Sequence, residues 1–173
     1  MCKVYVPYAH AKSIFEIQID FYKKHGIKTV LSDLDNTLDS YKTKTPSANV
    51  VSFKEVLQEN GIELFIISNN TGKRVQEYAD ALGVRYASAV GKPFARKLKR
   101  KLSEAQIDLK TAVLVGDQTV TDIASANRAG ILCILTDKIV KEDQPTTHFN
   151  RLFDRPIRHR LKRKGKLIDW RER

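Results

Sequence analysis

Short apolar runs that each end in polar residues, with helical patterns between them, constrain this chain more than any other feature. Thr29-Val30-Leu31 leads into Asp33, Glu63 to Ile67 into Ser68, and Ala112 to Val115 into Gly116-Asp117, while Ile131 to Leu135 closes the series. Runs this short and this uniformly apolar suit strands covered on both faces, as in a parallel sheet. Between them, Ser47 to Asn60 places Val50, Val51, Phe53, Val56 and Leu57 at helical spacing, with Pro46 near its start and Gly61 just past its end. Lys73 to Leu82, Phe94 to Leu102 and Asp122 to Ala129 read as further helices, and Val84 to Tyr86 as a short strand after the turn at Gly83. The alternation predicts the α/β class: a doubly wound, mainly parallel sheet with helices on both faces.

A length of 173 residues suits one domain. We expect a single unit over 1–173, its core at about 27–136 and a basic tail at about 150–173. The segment before the core is rich in aromatics (Tyr5, Tyr8, Phe15, Phe21, Tyr22) and has no clear periodicity.

Charge is unevenly spread. The chain carries a formal +11, and Asn150 to Arg173 holds ten Lys and Arg against Asp154, Asp169 and Glu172. In that tail Leu152, Phe153, Ile157 and Leu161 approximate one helical face, although Pro156 interrupts its front. Such a segment is drawn to an anionic membrane surface or to nucleic acid; the plainer expectation is a solvated tail partly packed on the domain. Cys2 and Cys133 form neither a disulfide framework nor a metal-thiolate spacing. No apolar run approaches the roughly 20 residues of a membrane span, and no leader pattern is visible, so the expected location is cytoplasmic, with peripheral attachment to a membrane surface open to the tail.

In doubly wound sheets the ligand site lies beyond the carboxyl ends of the strands. The residues there are Asp33-Leu34-Asp35-Asn36-Thr37-Leu38, Ser68-Asn69-Asn70, and Gly116-Asp117 with Asp122 soon after, while Gly91-Lys92-Pro93 opens the basic helix. Carboxylates gathered at one edge repel one another unless a cation sits among them, and an all-oxygen set without His or Cys favours Mg²⁺. A metal, a Lys and a Ser hydroxyl together suit a tetrahedral dianion, which points to phosphate esters. Of two Asp separated by one residue, one can attack phosphorus while the other moves protons. The same hexad begins like a calcium-binding EF-hand loop, but Leu38 stands where Gly is needed and Lys44 where Glu is needed. A two-component receiver places its paired acids and its phosphorylated Asp on different strands, unlike this pair. Taken singly, Ser68 and Asp122 also suit helix caps and Lys92 a surface position. His10, His25, His148 and His159 lack a ligand partner at useful spacing and read as ordinary, and Cys133 reads as core.

Asp33-Leu34-Asp35-Asn36-Thr37-Leu38 resembles the first motif of the haloacid dehalogenase (HAD) superfamily, DxDx[TV][LV]. Ser68 after Phe65-Ile66-Ile67 resembles the second, Lys92 the third, and Gly116-Asp117-Gln118-Thr119-Val120-Thr121-Asp122 the GDx₄D form of the fourth, in the family's order. The chain as a whole is similar to the YqeG-type members of subfamily IIIA, a neighbouring branch of which contains phosphatidylglycerophosphate phosphatases. The resemblance implies Asp33 as a nucleophile forming an aspartyl-phosphate and Asp35 as general acid, then base. It implies Ser68, helped by the Asn69 backbone, and Lys92 as phosphate-binding groups. Mg²⁺ would be held by Asp33, the Asp35 carbonyl and Asp117, with Asp122 supporting from behind.

Neither Asp39 to Gly61 nor Ser68 to Lys92 leaves room for a cap domain, so an open site suited to large or surface-presented phosphate esters is expected. The alternative reading, motivated by the tail, is a nucleic-acid or ribosome-associated binding protein on the same frame.

Overall fold

The computed structural model describes residues 3–71, 73–139 and 145–173, with side chains for all of these except 145–151. Its centre is β2 (Thr29–Asp33), a strand whose five residues are all buried. Around it the described residues form one parallel sheet of six strands, completed by β1 (Ala9–Ala11), β3 (Glu63–Ile67), β4 (Tyr86–Ala87), β5 (Ala112–Gly116) and β6 (Leu132–Thr136), in the order β1-β6-β5-β2-β3-β4. The chain runs outward from β2 through β3 to β4, then crosses back to β5 on the other side of β2. That reversal splays the connections apart at the carboxyl ends of β2 and β5, which is where a ligand crevice forms in such sheets. Register sets Ser32 level with Val115 and Asp33 level with Ile67, so three strands deliver their polar exits side by side.

Side chains alternate along each strand between two cores, as the two-residue period of a strand requires. Val30, Leu64, Ile66, Val113, Val115 and Ile134 face one layer. There they meet α1 (Ile19–Lys24), α2 (Ala48–Glu59) and α3 (Lys73–Leu82) through residues such as Tyr22, Phe53, Leu57 and Tyr78. Leu31, Phe65, Ile67, Leu114, Cys133 and Leu135 face the other, against α4 (Ala95–Glu104) and α5 (Ala124–Ala129). Helices thus cover both faces, as the uniform apolarity of the strands predicts. Gly130, at φ 78°, ends α5 in the left-handed conformation that glycine adopts without strain and lets the chain enter β6 directly.

Some boundaries differ from expectation, for local reasons. The short strand lies at Tyr86–Ala87, not Val84–Tyr86, because the Val84 N–H bonds the Ala79 carbonyl and caps α3. The expected Asp122–Ala129 helix is preceded by a wide turn over Thr119–Ile123, in which the Ile123 N–H reaches back to the Gln118 carbonyl. Strand β1 has no counterpart in the sequence reading. Ala-His-Ala carries little β propensity, and the strand exists because it pairs with β6, burying Ala9 and Ala11 completely.

The carboxyl-terminal segment is more than a solvated tail. Helix α6 (Pro145–Arg163) runs through Pro156, Leu161 within it is fully buried, and Trp170 packs edge-on against Phe21 with ring centroids 6.1 Å apart. The His10 N–H bonds the Ile168 carbonyl at 2.7 Å. The apolar face expected for this helix is divided: Leu161 faces inward, while Leu152 and Phe153 are 69% and 50% exposed. The side chains of His148 and Arg151 lie outside the described residues. No helix among the described residues is long and apolar enough to cross a membrane.

Candidate active site

Asp33, the last residue of β2, is buried where the sheet reverses direction. After it the chain folds back at once: the N–H groups of Thr37, Leu38 and Asp39 all converge on the Leu34 carbonyl, and the Asn36 N–H bonds the Asp39 carbonyl at 2.8 Å. Asn36 sits at φ 65°, a conformation Asn tolerates better than most residues. Leu34 is wholly buried between Asp33 and Asp35, and the Asp35 charge is felt at Asp33. This is the sharp turn that two acids at i and i+2 need in order to serve one centre.

Lys92 holds the centre together. Its Nζ donates to Asp33 Oδ1 and to Asp122 Oδ1, each at 2.7 Å, and the side chain is 3% exposed. Asp122 accepts a second bond on Oδ2 from the Gln118 N–H at 3.0 Å, so both its oxygens are engaged. It therefore supports Lys92 and the turn, and does not cap α5. Asn69 clamps the Lys92 backbone from the other side: its Nδ2 donates to the Lys92 carbonyl and its Oδ1 accepts the Lys92 N–H, both at 2.8 Å. Ser68 is buried at the end of β3, and its hydroxyl accepts the Asn70 N–H at 3.1 Å. Asp117 follows β5 and is fully buried. Asp33, Asp117 and Asp122 offer oxygens that lie within 4.8 Å of one another.

Asp35 stands differently. It is partly exposed, with Oδ1 2.5 Å from Arg74 Nη1 and Oδ2 accepting from Asn70 Nδ2 at 3.0 Å. Arg74 also donates to the carbonyls of Ser40 and Thr43, tying the following loop to α3. On the same loop Asp39 accepts the Tyr78 hydroxyl at 2.5 Å and the Ser47 N–H at 3.0 Å.

Burial pushes the Asp33 carboxyl well above the usual carboxylate range; Lys92 pulls it down, and Asp122, Asp117 and Asp35 push it up again. Burial alone would lower the Lys92 ammonium, but Asp122 and Asp33 outweigh it and hold Lys92 above its ordinary value. Both directions follow from crowding. Lys92 keeps its proton because the Asp33 and Asp122 carboxylates share it. Three buried carboxylates whose oxygens lie within 4.8 Å of one another crowd negative charge that a divalent cation would relieve. An all-oxygen donor set of this kind fits such an ion, with Asp33 and Asp117 the better placed to hold it, since Lys92 and Gln118 occupy Asp122.

The segments flanking the site carry no large cap. Between Asp39 and Gly61 there is a loop and α2; between Ser68 and Lys92, α3 and β4. Two clefts elsewhere, of about 350 Å³ beside Lys54 and Gly83 and about 660 Å³ beside Tyr86 and Lys101, contain none of these acids.

The profile of the haloacid dehalogenase-like hydrolases matches residues 10–130, most of this frame. The chain belongs to that family. As a HAD hydrolase it is 32% identical over 170 residues to a Bacillus subtilis (strain 168) protein named Probable phosphatase YqeG, with 98% of each chain covered, and it is a phosphatase of this family. It is also 24% identical over 149 residues to Phosphatidylglycerophosphate phosphatase 1, chloroplastic/mitochondrial, of Arabidopsis thaliana, covering 81% of this chain and 43% of that one. Among solved structures the HAD fold here is similar to the cobalt-bound deoxy-D-mannose-octulosonate 8-phosphate phosphatase YrbI of Haemophilus influenzae, at TM-score 0.50 and 15% identity over 84% of this chain and 93% of that one. It is similar also to an uncharacterized protein of Listeria monocytogenes serotype 4b, at TM-score 0.52 and 20% identity over 69% and 88%.

The HAD frame brings Asp33, Lys92, Asp117 and Asp122 into one buried cluster, with Ser68 buried after the neighbouring strand and Asp35 partly exposed after Asp33. Sequence reasoning missed Arg74, the Asn69 side-chain clamp, and the contribution of α6. Arg74 lies at the first turn of a helix that enters from the second motif, a position whose only signal in the sequence is its closeness to Ser68-Asn69-Asn70.

Proposed function

We propose that this HAD phosphatase hydrolyses phosphate monoesters with Mg²⁺ through an aspartyl-phosphate on Asp33. The observation that supports it most is the bond between Lys92 and Asp33, which fixes one oxygen of a buried carboxylate beside Asp117 at the exit of the central strand. Bound Mg²⁺ would neutralise charge on the phosphoryl oxygens and hold them in line, with Asp33, the Asp35 carbonyl and Asp117 as its protein ligands and Asp122 behind them. A free Asp33 oxygen attacks phosphorus, the bond to the leaving oxygen breaks, and Asp35 gives that oxygen its proton. Asp35 then takes a proton from water, the water oxygen attacks phosphorus, and the bond to Asp33 breaks to release phosphate. Ser68 and the Asn69 N–H bind phosphoryl oxygens, and Lys92 offsets the charge on both the phosphoryl group and Asp33.

The substrate in this reading is large or presented at a surface. A site without a cap admits it, and exposed Arg155, Arg160, Arg163, Lys164 and Lys166 lie on or just after α6, the helix that also exposes Leu152 and Phe153. Basic residues beside exposed apolar ones suit an anionic lipid surface better than a nucleic acid. The name of the Arabidopsis relative makes phosphatidylglycerophosphate the first substrate to try.

The test is phosphate release from an aryl phosphate, with and without Mg²⁺, by the wild type and Asp33→Asn. We expect metal-dependent release that falls at least about 10³-fold in the variant. Comparable turnover by Asp33→Asn would refute the nucleophile. Phosphatidylglycerophosphate in anionic vesicles then tests the substrate, and turnover no better than that of the aryl phosphate counts against it.

A further inference from the structure

We infer that α6 is part of the catalytic apparatus, with Asp154 and Arg158 as positioning residues for the loop that carries Asp117. The inference rests on the reading of Asp117 as a cation-holding residue and adds what holds Asp117 in place.

Asp154 is 1% exposed, and a carboxylate that deep is stable only when its oxygens are satisfied. Its partners come from the turn that follows Asp117. Oδ1 accepts from the Thr119 N–H at 2.5 Å, from the Thr119 hydroxyl, and more distantly from the Val120 N–H at 3.4 Å. Oδ2 lies 3.2 Å from Arg158 Nε.

The two Nη groups of Arg158 donate across two strand ends. Nη2 reaches the Asp117 carbonyl at 2.8 Å and the Thr136 carbonyl, joining the exits of β5 and β6. Nη1 reaches Asp137 Oδ1 at 3.0 Å, and that oxygen is also 3.1 Å from His10 Nε2. A planar guanidinium locked by partners in several directions has little freedom to turn.

The other side of the turn is equally filled. A Cβ built on Gly116 would lie 2.5 Å from Asp122 Cβ, so Asp122 packs directly on the strand end. The loop from Asp117 to Thr121 is thus held between Asp122 on the inside and the Asp154–Arg158 pair on the outside. Apolar packing of α6, as at Leu161, would anchor the helix without dictating where the Asp117 backbone lies. Directed bonds to the Asp117 carbonyl and the Thr119 N–H dictate it. Mg²⁺ requires near-ideal octahedral geometry, so a shift of this backbone would weaken a site whose other carboxylate, Asp33, stands on β2.

The experiment uses the full chain and Mn²⁺ as probe, with free Mn²⁺ read by electron paramagnetic resonance and thermal stability followed in chelator. The variants are Arg158→Ala, Arg158→Lys and Asp154→Asn, with Lys162→Ala, exposed on the same helix, as control. We expect Arg158→Ala to weaken Mn²⁺ binding by about 10- to 100-fold, Arg158→Lys and Asp154→Asn to weaken it less, and Lys162→Ala to leave it unchanged. If Arg158→Ala does not fold, the size-conserving Asp154→Asn carries the same comparison. Melting temperatures that fall while Mn²⁺ affinity stays within twofold would show a purely structural brace and overturn the inference. Wild-type protein that fails to bind Mn²⁺, or Asp117→Asn that binds it normally, overturns the reading of the site beneath it and is recognised by that pattern.

Discussion

Arg74 grips Asp35: Nη1 of the guanidinium lies 2.5 Å from Oδ1 of the carboxylate, and the same guanidinium holds the Ser40 and Thr43 carbonyls. The residue proposed to move protons is thereby fixed on one side by a permanent cation and on the other by Asn70. Arg74→Ala should lower kcat by about 10² while changing stability by no more than about 1 kcal/mol, because both side chains are partly exposed, at 27% and 18%. The loss should be larger for an alkyl phosphate, whose leaving oxygen needs a proton, than for a nitrophenyl phosphate, whose leaving oxygen does not. Equal losses on the two substrates would show that Arg74 acts on something other than proton transfer.

Gly116 has no room for a side chain. An added methyl would meet Asp122 at 2.5 Å from its Cβ and 2.6 Å from its Oδ2. Gly116→Ala should cost about 1–3 kcal/mol and, by moving Asp122 off Lys92, reduce turnover as well. Denaturant titration and steady-state kinetics measure the two effects; a variant that is as stable and as active as the wild type would show that Asp122 moves without consequence.

Asp137 should make the protein less stable in acid. The hydrogen bond from His10 holds its carboxyl below the usual range, burial opposes this, and Arg158 adds to the lowering. A carboxyl depressed in the folded state binds its proton more readily when unfolded, so it contributes stability above its unfolded value, about pH 4. That contribution disappears as pH falls through the lower folded value. The stability difference between wild type and Asp137→Asn should therefore be steady near neutrality and shrink below about pH 4, as urea melts across that range would record. A difference that stays constant down to the acid limit counts against the ion pair.

Removing 150–173 should unfold the protein, since it takes away Leu161, Trp170 and the Asp154–Arg158 brace along with the positive charge. Leu161→Ala alone should cost about 2–5 kcal/mol. Replacing exposed Arg160, Arg163 and Lys164 by Gln should leave thermal stability nearly unchanged and reduce cosedimentation with anionic vesicles. A truncated chain with a cooperative, near-native melt would show that the segment is dispensable to the fold.

What the sequence determined by itself is local. Each apolar run of three to five residues is long enough for one buried strand, and Asp33, Ser68 and Asp117 follow within a residue or two, so the strand period and the sheet rule are enough to set those three at one edge; Lys92 and Asp122 lie further along their connections, where the motif resemblance is the sharper guide. Tertiary structure decided the rest, through partners far apart in the chain. Arg74 meets Asp35 across 39 positions, Thr119 meets Asp154 across 35 and Asn127 meets Val6 across 121, and no periodicity reports such pairings. Strand β1 is the plainest case, because Ala9-His10-Ala11 becomes a strand only when β6 offers an edge to pair with. The basic tail is another: its charge was visible, but whether Leu161 or Leu152 would face inward depended on where α6 meets the turn after Asp117, a three-dimensional fit that the composition of the helix does not encode.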